Sequence, residues 1–183
     1  NTLRKHIKIE PLRWYYHCDR LGMIVWQDAV NGGGKYNFMA IGTAPFMSML
    51  FNNKHAGKVS DGSDHFGYFA RKDPAGRQKY YYDAEEMIDL LYNVTSLALW
   101  TPFNEGWGQF ESEKACEYYR EKDPTRLIDH ASGWVDHGAG DVNSFHIYFT
   151  PFIFPKYGKN DDRAICLTEF GGYSMSIDGH RFN

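Results

Sequence analysis

Ser96-Leu-Ala-Leu-Trp-Thr-Pro-Phe-Asn-Glu105-Gly-Trp-Gly108 decides how the chain is read. An apolar run of strand length ends in an Asn-Glu pair and then breaks on two glycines. Buried parallel strands read this way, and α/β proteins place their chemistry at the C-terminal tips of such strands. Further on, Ala164-Ile-Cys-Leu-Thr-Glu169-Phe-Gly-Gly172 repeats the design, with an apolar strand, a terminal carboxylate and a glycine turn. Two carboxylates on the tips of two strands of one sheet can face a common cleft.

Outward from these strands the pattern is βα. Asn1 to Ile7 reads as a strand, and Glu10-Pro11 opens a helix whose apolar face is Leu12, Tyr15, Tyr16 and Cys18 to Leu21. Proline is harmless in a first turn, and Gly22 supplies the stop. Met23 to Trp26 is the next strand, closing on Gln27-Asp28, so a βαβ unit is expected. Positions 31–79 read as a long irregular insertion with one helix around Phe38 to Phe51. A connection of that length is usually a functional lid or a disordered segment. Gly32-Gly33-Gly34 is expected to be a loop, because no helix start follows it as a phosphate-binding turn requires. A helix runs from Asp83 to about Asn93, another spans Gln109 to Arg120, and Asp123-Pro124 punctuates its end. Arg126 to His130, Asp141 to Phe149 and Arg163 to Thr168 complete six strands. This alternation predicts an α/β fold with a parallel sheet.

With 183 residues the chain is expected to be a single domain, 1–183, and too short for two large ones. A closed eight-stranded βα barrel typically takes about 250 residues. The net charge of −3 gives no basic stripe, so nucleic acid is not an expected partner. No run is long and apolar enough to span a bilayer, and the first residues lack the apolar core of a secretory signal. Cys18, Cys116 and Cys166 are expected to be buried free thiols, which leans towards a reducing, cytoplasmic setting. The eight histidines are scattered, and His130 and His137 lack a Glu-x-x-His or His-x-His pattern, so neither metal nor cofactor is expected. The sequon Asn93-Val-Thr95 is read as incidental. Aromatic residues make up 17% of the chain, which suits a core and also suits the apolar faces of sugars.

Hydrolysis of a glycosidic bond needs one carboxylic acid to protonate the leaving oxygen and a second carboxylate to attack or to activate water. In the retaining version the two groups lie about 5 Å apart, and one negative group is expected to raise the pKa of its neighbour and keep it a proton donor near neutral pH. The competing account is that the glutamates are caps or ion-pair partners of Arg4, Arg126 or Arg163.

The surrounding words are similar to glycoside hydrolase family 2, which includes β-galactosidases, β-glucuronidases and β-mannosidases. Besides Asn104-Glu105 and Thr168-Glu169-Phe-Gly-Gly172, the resemblance rests on Leu3-Arg4 and on Glu10-Pro11-Leu-Arg-Trp-Tyr-Tyr-His-Cys-Asp-Arg-Leu-Gly22. Asp123-Pro124-Thr-Arg126, Ser132-Gly133-Trp134 and His146-Ile-Tyr148 extend it in the same order. The resemblance implies a (β/α)8 TIM-barrel type fold, incomplete here, covering about strands two to seven. It implies an excised part of a larger enzyme, lacking two strands and the preceding β-sandwich domains, with exposed sheet edges open to self-association and little activity alone. It also implies Glu105 as acid/base and Glu169 as nucleophile in retaining cleavage of a β-galactoside or β-glucuronide. Asn104 would bind the sugar 2-hydroxyl, Arg4 would keep the nucleophile ionised, and His146 and Tyr148 would orient it or bind substrate. Trp107 and Trp134 are further candidates, as rings on which a sugar stacks. Two departures from the family pattern concern substrate contacts. His6 stands one place early and is expected to point elsewhere, and Gln27-Asp28 replaces Asp-Glu. The second expectation, from another class, is a non-catalytic carbohydrate-binding or structural barrel piece.

Overall fold

The computed structural model describes residues 1–43, 45–47, 59–148, 150–153, 161–172 and 175–180. Among the described residues, eight strand segments, β1 (Thr2–Lys5), β2 (Ile24–Asp28), β3 (Leu97–Thr101), β4 (Phe103–Asn104), β5 (Leu127–Ile128), β6 (Ala131–Ser132), β7 (Val142–Ile147) and β8 (Ala164–Phe170), alternate in part with three long α-helices. The helices are α1 (Leu12–Leu21), α2 (Pro74–Leu91) and α3 (Ser112–Lys122). Every strand pairing is parallel. One sheet has the order β1-β2-β3-β5, and the two-stranded ladders β4-β6 and β7-β8 continue it along the chain. Pro102 divides β3 from β4, because it has no N–H to give to a ladder. Among the described residues β1 and β8 do not pair, so the fold is a mixed α/β arrangement of parallel strands and not a closed barrel.

The helices bury one side of this arrangement. Tyr15 and Cys18 of α1, Met87, Ile88 and Leu91 of α2, and Ala115 and Tyr119 of α3 share a cluster with Val25, Leu97, Trp100 and Ile128 of the strands. Asp123, fully buried after α3, ties the layers together. It accepts from the Trp100 indole at 2.9 Å and from Arg126 at 2.5 Å, while Arg126 also donates to the carbonyls of Tyr92, Val94 and Leu97. The helix α1 starts after Pro11 and ends on Gly22 at φ 64°, the left-handed stop expected of a glycine there.

Several expected boundaries move. The helix α2 begins at Pro74, nine residues before Asp83, because Asp73 caps it by accepting from the N–H groups of Ala75 (3.0 Å) and Gly76 (3.2 Å). The irregular stretch therefore ends at position 73 and not 79. Of the helix expected around Phe38 to Phe51, a π-helical turn at Met39–Thr43 and helical residues 45–47 are present, and the remainder lies outside the described residues. No helix separates β6 from β7, whose link is a loop. Cys18 and Cys116 are buried free thiols, but Cys166 is only half-buried. None of the helices is long and apolar enough to cross a membrane, among the described residues.

Leu99 of β3 is fully buried. Leu99→Ala is expected to destabilise the chain by about 3 kcal/mol through lost transfer energy and the cavity left behind. A lower denaturant midpoint at unchanged slope would show it.

Candidate active site

Arg4, at the fourth position of the chain, lies at the centre of the strand tips. Its guanidinium makes a two-pronged ion pair with Asp28 at the end of β2, with Nε to Oδ1 at 2.9 Å and Nη2 to Oδ2 at 3.0 Å. Nη2 also reaches Asn104 Oδ1 (2.8 Å) at the end of β4, and Nη1 reaches Glu169 Oε1 (2.6 Å) on β8. One side chain thus joins the first strand to the last, although their backbones do not pair. Of the three arginines that could have neutralised a glutamate, only this one does so. Arg126 pairs with Asp123, and Arg163 pairs with Asp136 and Asp161.

His146 is the second hub. Its Nδ1 lies 2.8 Å from Glu105 Oε1, and its Nε2 lies 2.9 Å from Ser132 Oγ and 3.3 Å from Arg4 Nη1. Because Arg4 can only donate, the network assigns Nε2 as acceptor and Nδ1–H as donor to Glu105. Gly133 makes that meeting sterically feasible. It holds φ 99°, and a Cβ there would come within 3.1 Å of His146 Nδ1 and 3.3 Å of Glu105 Cγ. The Tyr148 hydroxyl bridges the two glutamates, 3.0 Å from Glu105 Oε1 and hydrogen-bonded to Glu169 Oε2.

A one-residue register shift delivers Glu169 to this network. Phe145 pairs with Leu167, but His146 then pairs with Glu169, so Thr168 is the extra residue. In an unshifted ladder Glu169 would oppose Ile147 and project from the other face. The Thr168 hydroxyl is held by Phe145 O (3.4 Å) and Ser132 Oγ (3.3 Å). Glu105 itself adopts φ 52°, a left-handed conformation that costs a non-glycine residue roughly 1–2 kcal/mol. Its N–H is fixed by Ser132 O at 2.7 Å. The result is that one oxygen of Glu105, one of Glu169 and a ring nitrogen of His146 all lie within 4.8 Å of one another. Such a trio could ligate a divalent cation. However, the Arg4 guanidinium already supplies a positive charge against both His146 Nε2 and Glu169.

Beside Glu105 opens a cleft of about 320 Å³, lined among others by His6, Asp28, Tyr36, Asn104, Glu105 and Trp107. Asn104 has its carbonyl taken by Arg4, so its amide NH2 is what it can offer a ligand. Trp107, 37% exposed, donates to Glu105 Oε2 at 3.4 Å and packs edge-on against Tyr36 at 4.8 Å. Trp134, by contrast, is 4% exposed and packs edge-on against His146 and Tyr148, so it backs the site and offers no face to a sugar. His6 does not point elsewhere. Its Nδ1 is 3.1 Å from Asp28 and 3.8 Å from Glu169. Gln27 turns away from the cleft and is buried against the hydroxyl of Tyr15, which donates to it at 2.5 Å.

Asp28 is the member that sequence reasoning undervalued. It accepts from Arg4 twice, from His6, and from the N–H of Ile7 at 3.2 Å, with Ile7 held at φ 44°. Burial pushes the Asp28 carboxyl up, but the His6 hydrogen bond and the Arg4 charge outweigh it, and the group titrates below the ordinary carboxylate range. Glu105 behaves similarly. Burial raises it, but hydrogen bonds from His146, Tyr148 and Trp107 outweigh burial, so the net displacement is downward and not the upward one expected from the neighbouring carboxylate. The Tyr148 phenol is pushed upward, first by burial and then by the two carboxylates.

No family model and no curated protein matches the sequence. Solved structures do match in fold. A GH2 beta-galacturonidase from Eisenbergiella tayi bound to galacturonate superposes with a TM-score of 0.60 at 16% identity, over 99% of this chain and 31% of that one. The same type of enzyme bound to glycerol gives 0.60 at 17% identity, over 96% and 30%. A beta-glucuronidase of Parabacteroides merdae with glycerol in its active site gives 0.51 at 14% identity, over 82% and 16%. The chain spans about a third of the length of the first two, and the likeness is one of fold.

Asp28→Asn leaves Arg4 short of its buried counter-charge and is expected to destabilise the chain by about 3 kcal/mol near neutral pH. Because the folded pKa lies below the unfolded value of about 3.9, this contribution is present above that value and lost as pH falls through the folded one. Urea titrations at neutral and acidic pH should therefore show the two proteins converging as pH falls.

Proposed function

We propose that the chain carries the catalytic centre of a retaining β-glycosidase acting on a β-galactoside or β-uronide. The carrying observation is the approach of Glu105 and Glu169, with carboxylate oxygens within 4.8 Å across the tips of β4 and β8. That separation matches the roughly 5 Å of retaining enzymes and is too short for the inverting geometry, which leaves room for a water. The fold shared with a beta-galacturonidase and a beta-glucuronidase supports the substrate class.

In this reading a Glu169 oxygen attacks the anomeric carbon while the bond to the leaving oxygen breaks, and Glu105 gives that oxygen its proton. Water then attacks the glycosyl-enzyme, Glu105 takes the water's proton, and the sugar departs with its configuration retained. Arg4 and Tyr148 hold the nucleophile by hydrogen bonds that fix its carboxylate close to Glu105. Asn104, positioned by Arg4, supplies the donor for the 2-hydroxyl, a contact that strengthens in the transition state. Aryl and glycosyl leaving groups would lie on the Glu105 side, against Trp107. The remaining lines of the binding surface belong to the larger protein that this reading assumes.

In the larger protein, Glu169→Ala is expected to reduce turnover of an aryl β-glycoside to background, with azide restoring part of it as a product of inverted configuration. An alanine variant that kept its activity would exclude Glu169 as nucleophile. Glu105→Gln should slow the reaction by roughly a hundred- to ten-thousandfold, the usual range for a lost acid/base. Since an acid must carry its proton and Glu105 is displaced downward, kcat/KM should fall as pH rises through the acidic range. His146→Phe removes the hydrogen bond that lowers Glu105 while burial persists, so that limb should move to higher pH. An unmoved limb would assign it to another group.

A further inference from the structure

A second cleft, of about 760 Å³, lies next to the first, and Asn31 lines both. Four cations line it, Arg71, Lys35, Lys72 and Lys79, against two carboxylates, Asp73 and Asp83. The carboxylates are already engaged. Asp83 pairs with Lys79, and Asp73 caps α2. Asp73 keeps its negative charge, so the excess is two positive charges, shared by Arg71 at the base and by Lys35 and Lys72 exposed at the rim.

Arg71 is 7% exposed and nevertheless donates only to neutral acceptors. Its Nε reaches Gly108 O at 2.8 Å, Nη1 reaches Gly76 O at 3.1 Å, and Nη2 reaches Asn31 Oδ1. Three of its five N–H groups are spent, and one on each terminal nitrogen is left. A buried guanidinium ordinarily has an anion beside it, and among the described residues Arg71 makes no ion pair. The cleft is also well placed for the proposed chemistry. Gly108 closes the loop that carries Glu105, and at φ 61° a Cβ there would come within 3.0 Å of both Arg71 Nε and Gly32 O. Asn31 Nδ2 donates to Trp107 O at 2.5 Å, so the wall between the clefts is the loop on the Glu105 side.

We infer that this second cleft receives an anionic substituent, a carboxylate or a sulfate ester, on the leaving portion of the substrate. The word "leaving" rests on the glycosidase reading, whereas the anion site does not. If Arg71 only staples the 31–35 loop to α2, added anions will find no site.

The test is isothermal titration of the full chain with 4-hydroxybenzoate, 4-hydroxybenzenesulfonate and neutral 4-hydroxybenzamide. At least one anion should bind roughly tenfold more tightly than the amide, and Lys35→Glu/Lys72→Glu should erase that preference. Both positions are exposed, so circular dichroism should be unchanged. The tighter of the two anions names the substituent. Equal binding of acid and amide, or a preference that survives the double charge reversal, overturns the inference. The phenyl β-glycosides of the same three phenols separate the two claims. In the larger protein that the glycosidase reading assumes, anion preference in binding without turnover sinks that reading and leaves the cleft standing. Turnover with equal kcat/KM for all three sinks the cleft alone.

Discussion

The ion pair between Arg4 and Asp28 is the constraint on which the strand tips depend. Asp28 is 1% exposed in its side chain and Arg4 11%, so both charges have left water, and neither is tolerable there without the other. Once the pair forms, the guanidinium has fixed donors left over. These go to Asn104 and Glu169, residues that the ladders alone would not bring together. A lysine could not substitute, since a point charge lacks the planar fork that reaches four partners from one position. His146 performs the matching task for Glu105, and Tyr148 spans the two halves.

Around this polar rim the fold separates its functions by layer. Apolar burial lies between the helices and the strands, where Trp100, Tyr119 and Leu91 are fully enclosed. Strain and charge lie at the tips, where Ile7 and Glu105 take left-handed conformations and the β7–β8 register slips by one residue. Ile7 and Glu105 are held there by hydrogen bonds from their N–H groups to the Asp28 carboxylate and the Ser132 carbonyl. Local strain of this kind concentrates where side-chain direction matters more than stability.

Much of the architecture was legible because local signals agreed. Pro11 and Gly22 bracket α1, and the apolar run from Leu97 could be little else than a buried strand. The early start of α2 was not legible from periodicity, since Gly76 and exposed residues precede Tyr80. Asp73-Pro74, a cap followed by proline, was the signal that could have found it. In the site, the two glutamates, Asn104 and Arg4 stood out in the sequence by type and position. Asp28 and His6 did not, because their importance comes from converging on one guanidinium, a three-dimensional fact. Trp134 failed as a stacking ring for a related reason. Its position after a strand tip suggested exposure, but the His146–Tyr148 pair needed an apolar backing, and the indole provides it.

Between the ladder that carries Glu105 (β4-β6) and the one that carries Glu169 (β7-β8), the described residues form no backbone ladder, and side-chain contacts such as His146 Nε2 to Ser132 Oγ and Gly133 N–H to Ser144 Oγ join them. The spacing of the two glutamates is thus governed by side-chain torsions and not by the stiff spacing of a sheet. A small outward flexing of the strand tips would part the carboxylates without breaking a single strand pairing or opening the apolar layer. Chemical competence and structural integrity can accordingly come apart in this molecule, with the first lost under perturbations too mild to register in its secondary structure.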